Sequence, residues 1–442
     1  MAEQEQKARR PDGRARVVVT GIGWVTPLGF TIDRVWQRLL AGESGVGTTR
    51  GFDASTFPTT FSAQVKPDYD YRRFVRYPDV HEGIGSNTAF ALGAAAGAWT
   101  SSGLDGYTAL NRRRLGIYLG SGEGSLDFDN YVAANLAGWD EERRTVDGGR
   151  WSEAALQRMG ALREIEQEPN MPLTHLAMEY EARGPAYNCL TACAASTQAI
   201  GEATEILRRG DADVMITGGA HTMIHPFGVT GFNRLTALST RNEDPQAASR
   251  PFSASRNGFV MGEGAGMLII ETLEHAQQRE AAVLAEIVGY GSSADAFRIT
   301  DMHPDGRGPA AAMRSALADA ETAPEQIDYI SAHGTGTHEN DSIETKAIRA
   351  VFGAAAPGVP ISSIKSMMGH LIAAAGAVEA ITCVLVLRDG KLPPTINLHD
   401  PDPQCDLDYV PNVSRAVEAG VALSNSFGFG GQNDTLVLRR FA

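Results

Sequence analysis

Short apolar segments that alternate with alanine-rich segments constrain the fold of this chain more than any other feature. The apolar segments have the length of buried strands, and stretches with helical character separate most of them. They cover residues 17–20, 115–119, 214–217, 267–271, 283–288, 329–332 and 421–424. Strands that alternate with helices predict an α/β fold built in layers. The first segment is followed by Gly21 and Gly23, which predict a turn before a helix at residues 31–40.

Two helical segments resemble each other, and this internal repeat predicts two related halves. One begins at Cys193 and continues as AASTQAIGEATEIL, and the other begins at His370 and continues as LIAAAGAVEAITCVLVL. An alignment of Cys193 with His370 places Glu202 on Glu379. If the halves are related, the starts of these two helices face one shared site.

The chain divides into four predicted regions. Residues 1–16 are polar and mixed in charge, which predicts a disordered tail. Residues 17–275 and 276–442 are expected to form the two halves. Residues 137–169 are rich in charged side chains and predict a surface excursion with a helical portion.

Composition and charge exclude several functional classes. The 39 basic and 53 acidic residues give a net charge of −14, which argues against nucleic acid or an anionic membrane as the main partner. No apolar run approaches the roughly 18 to 20 residues of a membrane span, and the N-terminus lacks the apolar core of a secretory signal. Four cysteines are too few for a disulfide framework in 442 residues. We therefore expect a cytoplasmic protein with reduced thiols.

Cys193 is a candidate nucleophile. Small residues flank it in the segment LTACAAS, at the predicted start of a helix. A helix N-terminus lowers the pKa of a thiol and so favours the thiolate, which is the attacking species. The alternative is that Cys193 is a small buried side chain, as we expect for Cys189, Cys383 and Cys405.

Two histidines are candidates for the same site. His333 lies in SAHGTGT at the end of an apolar segment, where glycines allow a ligand to approach the backbone. His370 ends the segment KSMMGH and opens the second of the two similar helices. A histidine at a helix N-terminus tends to stay neutral and can donate a hydrogen bond without becoming a cation. Each histidine alone is more simply explained as structural, whereas the combination with Cys193 favours a site.

Three other sequence patterns suggest alternative kinds of site. Gly21 and Gly23 resemble a dinucleotide-binding turn, but the third glycine and the following acidic residue are missing. His221 and His225 have the spacing of zinc ligands, but no third ligand is near in the sequence. The glycine-rich segment NSFGFGG has no P-loop lysine, and its amides can instead face an oxyanion or form a plain turn.

The motifs taken together resemble those of the elongating β-ketoacyl-acyl-carrier-protein synthases, most closely the synthase II type and its type II polyketide relatives. They are TACAAS at Cys193, AHGTGT at His333, KSMMGH at His370 and NSFGFGG at Phe429, and the likeness extends over residues 17–439. This resemblance implies a thiolase fold, in which two pseudo-symmetric α/β halves form a five-layered αβαβα core. It also implies an acyltransferase and a homodimer.

The resemblance assigns roles to individual residues. Cys193 would accept the acyl chain, the amides of Cys193 and Phe429 would form the oxyanion hole, and His333 and His370 would polarise the malonyl thioester. Further roles are implied for five other residues and for Phe429. Lys365 and Glu344 would form a charged pair, Glu379 would be a second supporting carboxylate, Thr335 and Thr337 would hold the phosphopantetheine arm, and Phe429 would also act as a gate. No metal or other cofactor is implied, because acyl carrier protein carries the substrates on its phosphopantetheine.

The acyl pocket departs from the family pattern. Glu123 replaces the usual apolar residue in GSGEGS, and Phe427 is a second expected pocket residue. Because a buried unpaired carboxylate is costly, Glu123 should be solvated, paired or protonated. A long saturated acyl chain is therefore in doubt, and fatty acid and polyketide pathways stay open. Acyl carrier proteins are acidic, so candidate docking residues are Lys66, Arg72, Arg73, Arg76 and Arg234.

Two alternative functions remain. A chain-length-setting or structural partner subunit of a heterodimeric ketosynthase would share the fold, but such subunits lack the cysteine. A thiolase-like acyltransferase acting on acyl-CoA would be expected to carry a second cysteine where this chain has Phe427 and Phe429. The presence of Cys193 with two histidines favours the catalytic condensing enzyme.

Overall fold

Sixteen strands are present in the computed structural model, which describes residues 8–124 and 126–441. In chain order they are β1 (Val17–Val25), β2 (Val46–Thr48), β3 (Phe61–Ala63), β4 (Leu115–Ser121), β5 (Trp139–Asp140), β6 (Thr145–Val146), β7 (Ala186–Cys189), β8 (Val214–His221), β9 (Gly264–Thr272), β10 (Ala285–Ala294), β11 (Tyr329–Ser331), β12 (Ile361–Ser362), β13 (Lys391–Leu392), β14 (Arg415–Ala416), β15 (Val421–Phe427) and β16 (Gln432–Arg439). Ten of them belong to one continuous sheet, and the remaining six form three two-stranded antiparallel sheets.

The continuous sheet consists of two halves with the same topology. From the junction outward, one half has the order β1, β9, β8, β4, β7 and the other has the order β10, β16, β15, β11, β12. In both halves the inner three strands are antiparallel and the outer pairs are parallel. In both halves, the order of the strands in the sheet therefore has the same relation to their order in the chain. A short antiparallel pairing of β1 with β10 joins the two halves. This equivalence confirms the two pseudo-symmetric halves.

Thirteen α-helices connect the strands in the described residues. They are α1 (Ile32–Leu40), α2 (Ser86–Ser102), α3 (Phe128–Gly138), α4 (Gly148–Arg158), α5 (Ala161–Ile165), α6 (Met171–Tyr180), α7 (Ala195–Arg208), α8 (Pro226–Arg234), α9 (Leu273–Gln278), α10 (Arg307–Asp319), α11 (His338–Phe352), α12 (Lys365–Met368) and α13 (Ala375–Asp389). Short 3-10 turns that matter below are Pro78–His81, Ala192–Ala194 and Ile372–Ala374.

Five layers follow from the packing of these helices. α7 and α13 touch each other and also touch strands of both halves, so they form the central layer. α2 and α6 cover the outer face of the first half, and α10 and α11 cover that of the second. Every residue of α13 from Ala375 to Leu387 is buried, as expected for a helix between two sheets. The αβαβα thiolase fold is confirmed.

The glycines that follow the first apolar segment do not form a turn. β1 continues through Gly21 and Gly23 to Val25, and all nine residues are buried. A Cβ atom on Gly21 would overlap the carbonyl oxygen of Ala98, and one on Gly23 would overlap that of Ala94. The predicted turn is therefore wrong. These glycines lack a side chain, which allows α2 to pack closely against β1.

The internal repeat is real, but its alignment needs a correction. α7 and α13 occupy equivalent positions, and each follows a 3-10 turn whose first residue, Ala192 or Ile372, has a φ of 47°. This match pairs Cys193 with Ala373. The predicted pairing of Cys193 with His370 is three residues out of register, because alanine-rich helices resemble one another at several offsets.

Residues 8–16 are packed against the protein. Ala8 is buried in a cluster with Val18 and Leu273. Arg10 donates a hydrogen bond to the carbonyl of Val288 at 2.7 Å. The predicted disordered tail is therefore wrong for residues 8–16, and residues 1–7 lie outside the described residues.

A buried chain of two histidines and two glutamates links α6 to the turn Pro78–His81. Glu179 Oε2 lies 3.1 Å from His81 Nε2, the two Nδ1 atoms of His81 and His175 lie 2.9 Å apart, and His175 Nε2 lies 2.8 Å from Glu166 Oε1. All four side chains are buried, so these contacts connect α6 to the turn within the first half.

Residues 137–169 form the surface excursion, which contains α4, α5 and the hairpin of β5 and β6. Several of its apolar side chains are exposed to solvent, including Leu156 and Leu162. In the described part of the chain, none of the helices combines the length and the apolar character needed to cross a membrane.

Candidate active site

Cys193 lies at the entrance to the central helix α7. It is the middle residue of the turn Ala192–Ala194, and α7 begins two residues later. The left-handed φ of Ala192 costs about 1–3 kcal/mol and persists only where the surroundings enforce it. The backbone N–H groups of Phe429 and of Cys193 itself face the sulfur, where they lower the pKa of the thiol. These two groups are the pair expected for an oxyanion hole.

Cys193, His333 and His370 come together as predicted. Their Sγ and ring nitrogen atoms lie within 4.8 Å of one another, and all three side chains are buried. His370 Nε2 is 2.9 Å from Cys193 Sγ, and the two imidazole rings meet edge to face with centroids 5.4 Å apart. Three separate elements supply these residues: the turn before α7, the loop after β11 and the loop after α12.

Hydrogen bonds at the far side of each ring fix which nitrogen carries the proton. The backbone N–H of Ile372 donates to His370 Nδ1 at 3.2 Å, and Lys365 Nζ donates to His333 Nδ1 at 3.4 Å. Both Nδ1 atoms are therefore acceptors, and in the neutral rings the proton is on Nε2. Burial, followed by the charge of Lys365, holds the pKa of both histidines well below the usual value. The site thus contains two neutral N–H donors.

The expectation of a lowered thiol pKa is wrong for the resting site. Burial raises the pKa of the Cys193 thiol to about 11, although Lys365 and the N–H group of Phe429 oppose this rise. Cys193 is only 7% exposed, so water cannot stabilise a thiolate there. The resting residue is a thiol.

The same three side chains resemble a metal site in composition, but their protonation does not suit one. Zinc binds thiolate sulfur and the lone pair of a neutral imidazole nitrogen. Here His333 and His370 direct Nε2–H rather than a lone pair towards Cys193, because their Nδ1 atoms accept hydrogen bonds. His221 and His225 belong to no three-residue group of close His, Cys, Asp or Glu ligand atoms in the described residues.

The charged residues pair differently from the expectation. Lys365 forms a buried ion pair with Glu379, whereas Glu344 accepts hydrogen bonds from the backbone N–H groups of His333 and Gly334 at 2.9 and 2.8 Å. The predicted pair of Lys365 with Glu344 is therefore wrong. Burial raises the pKa of Glu344 and of Glu379 to about 7. Glu344 fixes the His333 loop, and Glu379 holds the Lys365 ammonium beside His333.

A cavity of about 420 Å³ connects the triad with the surface. Thr335 and Thr337 line it, and their hydroxyl oxygens are 3.0 Å apart. Phe427 and Phe429 also line it, and the ring of Phe427 packs against His333 with centroids 5.7 Å apart. Phe429 is half-buried and is followed by two glycines with positive φ, a backbone that suits a moving gate.

Glu123 lies in a second cavity of about 650 Å³, which shares Phe232 and Leu235 with the first. Its side chain is exposed, so it is solvated as expected. Phe427, the other predicted pocket residue, lines the first cavity rather than the second. No motif marks Phe232 as a site residue, because an aromatic residue in a helix is usually a core residue.

The loop at residues 295–303 is a further part of the site that sequence reasoning missed. The carbonyl of Ile299 accepts a hydrogen bond from the backbone N–H of Gly430 at 2.8 Å, next to Phe429. Ile299 is 87% exposed beside the mouth of the first cavity, and Arg298 is exposed with it. No spacing or motif links these residues to Phe429, since the contact exists only in the folded chain.

Comparison with known proteins identifies the family. The model of the β-ketoacyl synthase N-terminal domain matches residues 14–276, and that of the β-ketoacyl synthase C-terminal domain matches residues 284–399. The 3-oxoacyl-[acyl-carrier-protein] synthase 2 of Coxiella burnetii (strain RSA 493 / Nine Mile phase I) is 42% identical over 434 residues, which cover 97% of this chain and 99% of that protein.

Two solved structures are similar over the same length. One is a type II polyketide ketosynthase bound to the hexaketide and in complex with its acyl carrier protein, with a TM-score of 0.83 and 34% identity over 97% of this chain and 100% of that chain. The other is the ishigamide ketosynthase/chain length factor, with a TM-score of 0.85 and 33% identity over the same shares. The two matched domains and the full-length relative show that the chain belongs to the β-ketoacyl synthase family.

Proposed function

We propose that this chain catalyses the decarboxylative Claisen condensation of an acyl chain on Cys193 with malonyl-acyl-carrier protein, in fatty acid or polyketide biosynthesis. The product is a 3-oxoacyl-acyl-carrier protein with two more carbons in its chain. The observation that carries the proposal is the convergence of two neutral Nε2–H donors, from His333 and His370, beside one buried thiol.

The first step transfers the acyl chain to Cys193. His370 Nε2–H donates to the sulfur as its proton leaves, and the N–H groups of Cys193 and Phe429 support the thiolate. As the sulfur attacks the thioester carbon, the same two backbone groups hold the carbonyl oxygen, which carries negative charge in the tetrahedral intermediate. The pantetheine sulfur leaves and takes up one proton, so the transfer consumes no net acid or base.

The second step uses the two histidines as hydrogen-bond donors. The malonyl thioester oxygen accepts hydrogen bonds from Nε2–H of His333 and His370. Breakage of the bond to the carboxylate releases CO₂ and leaves an enolate, whose charge rests on that oxygen. The enolate carbon attacks the Cys193 thioester, and the sulfur is expelled as a thiolate when the new carbon–carbon bond has formed. The thiolate takes up one proton from solvent, which restores the resting thiol. We propose that no metal or nucleotide takes part, because hydrogen bonds from neutral histidines supply the stabilisation.

The mouth of the first cavity suits an acidic carrier protein. Arg234 ends α8 directly before Leu235, which lines the cavity and is 51% exposed. Arg298 lies beside the exposed Ile299 on the opposite loop. Of the five basic residues selected from the sequence, Arg234 is next to the entrance. Arg298 pairs with Asp301 at 3.1 Å, and its side chain stays 69% exposed. We propose that Arg234 and Arg298 contact acyl carrier protein.

The open edge of β7 suits a homodimer. Among the described residues β7 pairs only with β4, and the neighbouring side chains Tyr187 and Leu190 are more than half exposed. An unprotected edge strand invites pairing with another chain. We propose that β7 pairs with its counterpart in a second copy about a two-fold axis. Pairing with a chain-length partner through the same edge is the alternative.

The proposal is tested with purified protein and a panel of acyl-carrier-protein thioesters. Intact-protein mass is expected to show acylation on Cys193, followed by loss of this mass and appearance of the 3-oxo product when malonyl-carrier protein is added. No acylation by any thioester would favour a partner-subunit role. Exchange with acetyl-CoA without decarboxylation of malonyl thioesters would instead indicate an acyl-CoA acyltransferase.

A further inference from the structure

The second cavity adjoins the active site through a thin wall. Phe232 and Leu235 line both the 420 Å³ cavity at the triad and the 650 Å³ cavity beside it. Phe232 also packs against Phe429, with ring centroids 6.5 Å apart. Movement of the proposed gate therefore changes the environment of this wall. The second cavity is placed to receive the distal part of a chain attached to Cys193.

The lining of the second cavity is apolar except for a small polar group. Its apolar side chains include Leu126, Met223 and Phe227, and its polar side chains are Glu123, Gln167 and His225. Gln167 Nε2 already donates to Glu164 at 2.8 Å. Glu123 and His225 remain as the pair that can recognise a polar group on a bound chain.

The hydrogen bonds of these two residues define what they offer. His225 Nδ1 accepts from the backbone N–H of Gly228 at 3.3 Å, so the neutral ring presents Nε2–H as a donor. Glu123 presents an acceptor, and its backbone is held by Asn87 Nδ2, which donates to the Glu123 carbonyl at 2.6 Å. The pair therefore matches a group that both donates and accepts, such as a hydroxyl or an enol.

A buried histidine lies against Gly122, which precedes Glu123 in the chain. His221 is 1% exposed, and neither of its ring nitrogens has a hydrogen-bond partner in the described part of the chain. A side chain at Gly122 would overlap its ring. His221 does not line the second cavity, so the polar side chains of that wall are those of Glu123, Gln167 and His225.

We propose that Glu123 and His225 select acyl chains that carry a hydroxyl or enol group along the chain, in preference to saturated chains. This inference rests on the proposed condensation. A saturated chain that fills the cavity displaces water from Glu123 and His225 and gives no hydrogen bond in return. A hydroxylated chain donates to the Glu123 carboxylate and accepts from His225 Nε2–H. The specificity is therefore set outside the catalytic triad.

The experiment compares acylation of Cys193 by pantetheine thioesters of octanoate and of octanoates with one hydroxyl at carbon 3, 5 or 7. Initial rates are measured by intact-protein mass on the full-length chain. We expect at least one hydroxylated chain to exceed octanoate in kcat/KM by about tenfold or more. Glu123→Ile and His225→Asn should remove this preference, and Asn at position 225 can still cap α8. The exposed Glu153→Gln is the control and should retain it.

Each outcome distinguishes this inference from the proposed function. Acylation by octanoate at a rate equal to or above that of every hydroxylated chain overturns the selection for polar chains and leaves the condensation intact. A preference that survives in both Glu123→Ile and His225→Asn shows that other residues set it. Glu123→Gln keeps the shape of the side chain, so its loss of preference would confirm the role of the carboxylate. Absence of acylation by all four thioesters contradicts the proposed function itself.

Discussion

The reactivity of Cys193 should depend steeply on pH. Burial raises the pKa of its thiol to about 11, above the ordinary value of 9.0. Only the thiolate reacts with an alkylating agent. Between pH 6.5 and 9 the thiolate fraction should therefore increase tenfold for each pH unit, without a plateau. The pH change alters no side chain covalently, and the carboxyl groups of Glu344 and Glu379, whose pKa burial raises to about 7, ionise in the lower part of this range.

The magnitude follows from the same pKa. At pH 7 a thiol with a pKa of about 11 is ionised in about one molecule in 10⁴, compared with about one in 10² for a pKa of 9.0. This hundredfold difference corresponds to about 3 kcal/mol. It measures the cost of placing a bare thiolate in this buried site before substrate binds.

Alkylation by iodoacetamide, followed by intact-protein mass, provides the assay. A Cys193→Ala variant measures alkylation at the other three cysteines, and a short cysteine peptide provides the ordinary thiol. The expected logarithmic slope for Cys193 is one per pH unit, and the peptide curve should bend near pH 9. A plateau of the Cys193 rate at or below pH 8 would refute the reasoning, because it would require a stabilised resting thiolate.

Three further outcomes are expected. Cys193→Ala should abolish condensation, whereas Cys193→Gln should retain malonyl decarboxylation without elongation, as measured by CO₂ release; normal condensation by Cys193→Ala would contradict the assignment. His333→Phe should slow decarboxylation by about 10²–10³-fold but leave acylation of Cys193 measurable, since His370 faces the sulfur; equal loss of both activities would argue against separate roles. His175→Phe should lower the free energy of unfolding by about 2–4 kcal/mol in urea denaturation, because it removes two buried hydrogen bonds, while exposed His399→Phe should change it little.

Seven of the ten strands of the continuous sheet were predictable because each contains a short apolar run, whereas β7, β12 and β16 match no predicted segment. The turn expected at Gly21 and Gly23 failed for a specific reason: the sequence shows that a side chain is absent but not which neighbour occupies the space. The alignment of Cys193 with His370 failed because alanine-rich helices carry little information about register. The strained residues Ala192 and Ile372 give the correct register, and their φ angles are visible only in the structure.

The chemistry of the site was predictable at the level of residue identity. Cys193, His333 and His370 stand in distinctive motifs, and the structure brings them together. Pairing among charged residues was not predictable in the same way. Lys365 is distant in sequence from both Glu344 and Glu379, and only the packing of α11, α12 and α13 decides that it reaches Glu379. The thiol pKa depends in turn on the burial that this packing produces.

The two halves contain equivalent 3-10 turns, each of which begins with a left-handed residue and has a different role. In the first half the left-handed residue Ala192 opens the turn that presents Cys193. In the second half the equivalent residue Ile372 has the same φ, and its backbone N–H donates to His370 Nδ1. The first turn therefore positions Cys193. The second turn keeps the proton of His370 on Nε2, the ring atom that faces the sulfur of Cys193. Because Nε2 of His370 already carries a proton, it can donate a hydrogen bond to the sulfur of Cys193 but cannot accept the thiol proton. The site is therefore organised to stabilise negative charge rather than to remove a proton from Cys193.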